Sequence, residues 1–246
     1  MRRTLCVVLS LAFLLTWTSA ALSGGDDGRA IVARSIKAAG GEAKLNKFHA
    51  QTWNEKGTYY GMGEGLPYTA RCAMHAPDQF LMEIKGIFTM CVNGDTGWIN
   101  ADGKVTDMTK EEIEAERGNM RAGVIASLVP LKNKAFEVKA AGSAKVGDMD
   151  TLVVEVSRKD YPTTKLYFDK KTDMLVRMEY RAKAKDLKFQ EVPMEMNFSN
   201  FKEVEGAKMP HTMVLKRDGK RYVEADVMDL KSGHVDAKTF AKPASK

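Results

Sequence analysis

The residues best able to do chemistry are few, and their spacing assembles nothing. The four histidines, His49, His75, His211 and His234, are far apart, and none belongs to an H-E-x-x-H pair that would set two imidazoles on one helix face for zinc. No C-x-x-C dithiol and no G-x-S-x-G nucleophile elbow occurs. Asp169 and Asp173 flank a turn, where carboxylates accept from backbone NH groups, and that accounts for them without general acid catalysis. Gly61, Gly63 and Gly65 sketch a phosphate loop, but no Lys-Ser/Thr follows and no helix pattern stands behind them. They read as a loop between strands. Asn197-Phe198-Ser199 matches a glycosylation sequon inside a regular strand pattern. These observations argue against an enzyme and imply no metal and no cofactor.

Methionine is the unusual component, 15 of 246 residues. It is unbranched and polarizable, which suits a surface that moulds to variable apolar partners and equally suits gap-filling in an ordinary core. Charged residues make up 28% with both signs interspersed, and the basic residues form no stripe, so nucleic acid is not an expected partner.

The N-terminus reads as a secretory leader. Arg2 and Arg3 precede an apolar run from Leu5 to Trp17, and small residues follow at Thr18, Ser19, Ala20 and Ala21. The run is shorter than the roughly 20 residues needed to span a bilayer. Cys6 lies inside it, so no lipobox is present. Residues 1–21 are expected to be a cleaved signal peptide, and 22–246 a single domain in the periplasm or outside the cell. Removing Arg2 and Arg3, with no acidic residue, takes the formal charge from +6 to +4.

The remaining pattern is two helices among strands. Residues 26–39 carry Ile31, Val32, Ile36 and Ala39 at helical spacing, with Asp26 and Asp27 at the start and Gly40-Gly41 as a stop. A short second helix is expected over 42–48. Residues 109–129 open on a Thr109/Glu112 capping box, carry a stripe of Ile113, Met120, Val124, Ile125 and Leu128, and end at Pro130. Elsewhere the period is two. About ten strands are expected, including 53–60, 68–75, 80–85, 87–92 and a final hairpin around Asp218-Gly219.

One register organises residues 68–92. With Met74 opposite Phe80 and Met82 opposite Met90, one face holds Cys72, Met74, Phe80, Met82, Ile84, Phe88, Met90 and Val92. Arg71, His75, Glu83, Lys85 and Thr89 take the other. A sheet this long with one apolar face should curl, and the helices should cover its concave side. The same register sets Cys72 and Cys91 on opposite faces with a strand between them. Two spacings of about 4.8 Å exceed the about 7 Å that a disulfide tolerates. Two free thiols are expected, with Cys91 the more exposed unless a helix covers its face.

Several short motifs, in this order, carry a resemblance. They are residues 33–45 (ARSIKAAGGEAKL), 76–80 (APDQF), 93–98 (NGDTGW), 166–169 (LYFD) with Leu175-Val176, and 206–210 (GAKMP). Together they resemble the LolA/LolB-like outer-membrane lipoprotein-sorting superfamily over nearly all of the chain beyond the leader. The resemblance implies an α+β fold: an incomplete, strongly curved antiparallel β-barrel (half-barrel) with two main α-helices covering the concave face and enclosing an apolar cavity for acyl chains. It also implies an Arg before the strand-linking Pro that holds a helical lid closed; this chain has Ala76 there.

The expected function is therefore a periplasmic binding or carrier protein for a lipidic ligand such as lipoprotein acyl chains. It would be monomeric and without bond-making chemistry, with an envelope protein as a possible partner. The expected ligand-binding residues are Met74, Phe80, Met82, Ile84, Phe88, Met90 and Val92 on the strands, and Ile113, Met120 and Val124 on the helix. The alternative is an extracytoplasmic interaction or sensor domain of the same fold with no ligand cavity.

Overall fold

The computed structural model describes residues 27–244. The leader reading and Asp26 lie outside the described residues.

Helix α1 (Gly28–Ala38) and a one-turn α2 (Glu42–Leu45) precede strands β1 (Ala50–Tyr59), β2 (Leu66–His75), β3 (Gln79–Ile84), β4 (Phe88–Asn93), β5 (Thr96–Ala101) and β6 (Lys104–Asp107). Helix α3 (Lys110–Ala126) follows. Then come β7 (Glu137–Val146), β8 (Met149–Ser157), β9 (Thr164–Asp169), β10 (Leu175–Ala184), β11 (Gln190–Val204), β12 (Ala207–Arg217) and β13 (Lys220–Ser232). All the described strands form one antiparallel sheet in the order β6-β5-β4-β3-β2-β1-β13-β12-β11-β10-β9-β8-β7. Strands β6 and β7 are its free edges, so the barrel is not closed.

The sheet must curl, because α3 packs against β4 on one flank and against β9 and β10 on the other. In a flat sheet β4 and β10 would stand seven spacings apart, about 34 Å, whereas a helix with its side chains is roughly 10 Å across. The fold is an open, curved antiparallel half-barrel with helices on its concave side, in the α+β class.

Local chemistry explains the element ends. Asp27 accepts from the Arg29 amide at 3.3 Å and caps α1. Thr109 and Glu112 form the reciprocal capping box of α3, with bonds of 2.7 and 3.2 Å. Gly40 ends α1 at φ 113°, and a Cβ there would lie 2.4 Å from the Gly206 carbonyl oxygen. The Lys208 amide also donates to Ala39 O at 2.9 Å. The glycine motif after α1 and the glycine motif between β11 and β12 thus touch each other.

The strand count exceeds the sequence expectation of about ten. Strand β6 was not expected; its turn, Asp102-Gly103, has φ of 51° and 78°, the left-handed pair that a two-residue hairpin requires.

The register of the central strands is the one the alternation implies. Met74 pairs with Phe80, Cys72 with Met82, and Met82 with Met90. The opposite face is less polar than the sequence suggests. Ala73, Leu81, Cys91 and Trp98 share it with the charged residues, and they form a second core with Val235 and Phe240 of the C-terminal segment. Phe240 ends a 3₁₀ turn, Ala237–Phe240, and is fully buried against this face.

This corrects the expectation for Cys91. It is 0% exposed, and its Sγ approaches Phe240 O at 3.4 Å. Burial pushes its thiol up to about 12. Cys72 is equally enclosed, and both cysteines are free thiols.

Candidate functional site

The concave face divides into packed and open parts. Over β7–β11 it is a continuous core, in which Ile31, Val32 and Ile36 of α1 and Ala122 and Ile125 of α3 meet Val154, Leu166, Phe168, Met178 and Tyr180. Over β4 and β5, Ile113 and Met120 of α3 close onto Val92 and Met108, with Phe80, Met90 and Ile99 packed at the margin. Between these two covered zones lie β3, β2, β1, β13 and β12. Their concave-facing apolar side chains include the half-buried Met74, Phe80, Met82 and Ile84 on one side and Met213 on the other, where Met196, Phe198 and Leu215 pack against the β7–β11 core.

The ten expected ligand-binding residues therefore separate. Val92, Ile113 and Met120 are buried together, and Val124 is buried on the same helix outside that cluster. Phe80 and Met90 bridge from the covered zone to the open one. Met74, Met82, Ile84 and Phe88 lie half-buried along the open strands. Most of the seven strand residues were expected to be buried within reach of the helix. Val92 is, and the other six are half-buried.

Helix α3 is tied down on both flanks. Arg117 donates to Gly94 O at 2.7 Å and to Asp95 Oδ1 at 2.8 Å, on the turn between β4 and β5, and it also pairs with Glu114. On the other flank Lys185 pairs with Glu112, and Tyr180 donates to Asn119 Oδ1 at 3.2 Å. The Lys185 contact, together with the Thr109 cap, holds the Glu112 carboxyl below its ordinary range.

The sequence reading missed a polar island on this floor. Trp53 Nε1 donates to Glu55 Oε1 at 2.8 Å, and Tyr68 OH donates to Glu55 Oε2 at 3.1 Å. Burial, then the Glu55 charge, raises both the Tyr68 hydroxyl and the Cys72 thiol. On α3, burial raises the Glu116 carboxyl, which accepts from Asn119 Nδ2 at 3.4 Å. Glu55 did leave a sequence signal: it is a charged residue in the apolar phase of an alternating strand, between Trp53 and Tyr59.

The other chemical candidates resolve as structural. His49 and His75 meet at 5.6 Å between ring centroids, but both are exposed. No group of three potential metal ligands occurs among the described residues. Asp169 accepts from the Lys171 and Thr172 amides and from the Thr172 hydroxyl, as a turn carboxylate should. Asn197 of the sequon is engaged with Arg177 and Glu195 at 2.8 Å each. Two open grooves lie on the outer face. One, of about 580 Å³, is walled by Lys56, Thr69, Lys85, Glu224 and Asp226, and the other, of about 270 Å³, lies beside Arg71, Leu81 and Asp229.

No family model matches the sequence, and no curated protein matches it. Solved structures do. A LolA superfamily protein, NE2245 from Nitrosomonas europaea, superposes with a TM-score of 0.58 at 10% identity, covering 89% of this chain and 99% of that one. The chain has a LolA-like fold. A putative outer membrane lipoprotein-sorting protein domain from Vibrio parahaemolyticus gives 0.53 at 12% identity over 86% and 97% of the two chains. A DUF1329 family protein from Desulfovibrio piger gives 0.56 at 12% over 88% and 100%. The half-buried strip, or trough, between the two packed zones lies on the concave side of the sheet. No helix among the described residues is long and apolar enough to cross a membrane.

Proposed function

We propose that this chain is an extracytoplasmic carrier or binding protein for a lipidic ligand such as lipoprotein acyl chains. It would be exported by the leader at 1–21 and work without catalysis as one domain over 22–246. The observation that carries this reading is the row of half-buried methionines and aromatics, Met74, Phe80, Met82, Phe88 and Met90, between two well-packed zones. Such a row is sealed less tightly than a core, and that leaves apolar area for a ligand to cover. Methionine suits a ligand whose chains vary in length and bend. The ligand would occupy Met74, Phe80, Met82, Ile84, Phe88 and Met90, with Val92, Ile113, Met120 and Val124 forming the wall behind them. Each buried CH₂ contributes about 0.8 kcal/mol, so one long acyl chain binds usefully after its ordering cost.

The test is native mass spectrometry of the delipidated chain with a neutral monoacylglycerol. One bound molecule per chain is expected in the wild type and none in Met82→Glu/Met90→Glu, with unchanged circular dichroism in both. Absence of any adduct in the wild type would favour the alternative, an interaction domain of the same fold.

A further inference from the structure

The trough is not uniformly apolar. Strand β1 presents Gln51, Trp53 and Glu55 to its floor, since they pair with Met74, Cys72 and Ala70 of β2 on the concave face. Glu55 is 5% exposed, yet among the described residues no Lys, Arg or His lies within ion-pair distance of it. Its two donors, the Trp53 indole and the Tyr68 hydroxyl, are neutral and take one oxygen each. Each oxygen keeps acceptor capacity. In the same row, Gln51 Oε1 is buried without a hydrogen-bond partner.

This arrangement is built into the backbone. A Cβ at Gly57 would lie 2.7 Å from the Tyr68 ring, so the glycine lets that ring rest over β1 and deliver its hydroxyl to Glu55. The Trp53 and Phe80 rings stand 6.2 Å apart between centroids beside it.

A buried anion without a counter-ion is costly, and so is a buried acceptor without a donor. The first cost is relieved by a group that brings positive charge and several N–H donors, and aromatic faces nearby favour the same group. We propose that the trough is selective for an amphiphile bearing a protonated amine. Its ammonium would donate to Glu55 while its chain lies along Met74 and Met82. This assignment rests on the reading of the trough as a lipid site.

The experiment compares decylamine, decanol and decanoate, each below its micelle concentration at pH 7, by titration of the full-length protein. Decylamine should bind about tenfold or more tighter than decanol, and decanoate weakest. Glu55→Gln should remove the amine's advantage over decanol. If decanol binds as tightly as decylamine, or the preference survives in Glu55→Gln, the amine assignment is wrong while the lipid reading stands. If none of the three binds, both fail. Should Glu55→Gln not fold, the wild-type ranking decides alone.

Discussion

The two ends of the same sheet treat their apolar side chains in opposite ways. Over β7–β11 the concave face is sealed, with Phe168 and Leu166 at 1% and 0% exposure under α1 and the C-terminal half of α3. Over β1–β3 the equivalent positions, Trp53, Met74 and Met82, are only half-buried. Composition follows the division. The sealed zone is built mainly of Val, Leu, Ile and Phe with Met178, Tyr180 and Met194 among them, and the half-buried zone sets Met, Ile and aromatics around a buried carboxylate. The sealed half supplies stability, and the open half spends part of it to keep a surface free.

The largest expected effect separates these halves by truncation. Phe168→Ala should destabilise by about 3–5 kcal/mol, as for a filled core site, while Met82→Ala should cost about 1 kcal/mol or less because its neighbourhood is already open. Urea unfolding measures both. Similar losses at the two sites would erase the distinction. Ligand affinity should move the other way, falling in Met82→Ala and holding in Phe168→Ala under conditions where that variant is folded.

The second prediction concerns the outer face. Deleting residues 236–246 strips Phe240 from Cys91, so Cys91 should turn from unreactive to readily modified by a thiol reagent while Cys72 stays protected under the concave face. Two thiols should titrate in denaturant without reductant. Unchanged Cys91 reactivity in the truncated chain would mean that the C-terminal segment is not its cover.

Acid titration sharpens the contrast further. On the outer face of β11, burial pushes Glu195 up, but Asn197, Lys216 and Arg177 outweigh it and hold its carboxyl below the ordinary range. Its stabilising contribution is present above the unfolded value and is lost as pH falls through the folded one. Glu116, on the flank of α3 that meets Tyr180, has the opposite sign. Burial raises its carboxyl, so stability is lost as pH rises from the unfolded value through the folded one. Glu195→Gln should flatten the acid limb of the stability–pH curve, and Glu116→Gln should raise stability near neutrality. Matching responses would remove the difference in environment.

The smallest effect is expected at the helix anchor. Arg117→Ala loses the bonds to Gly94 and Asp95 and should cost about 1 kcal/mol. Faster amide exchange in α3 would show it, with strand exchange unaffected.

Much of this was legible in the sequence. Period-two alternation from Tyr68 to Val92 fixes the register, because a one-residue slip would expose every apolar residue. Thr109 and Glu112 mark the α3 start for a chemical reason that needs no tertiary context. The second core was not legible, since Val235 and Phe240 lie in a polar tail whose docking depends on a distant sheet face. Nor was half-burial of Met74 and Met82, which depends on where α3 comes to rest. Strand β6 was overlooked although Asp102-Gly103 signals its hairpin.

The central claim is that an acyl chain lies on the concave floor, and two tryptophans report on it separately. Trp53 faces that floor beside Phe80, while Trp98 faces the opposite side and donates to Phe240 O at 3.4 Å. Residues 22–246 hold only Trp53 and Trp98, so chains over that range carrying either one alone can be titrated with a monoacylglycerol brominated along its chain. Saturable quenching of Trp53 near one equivalent, with Trp98 unaffected, is the predicted result. Quenching of Trp98, or of neither residue, would contradict the account.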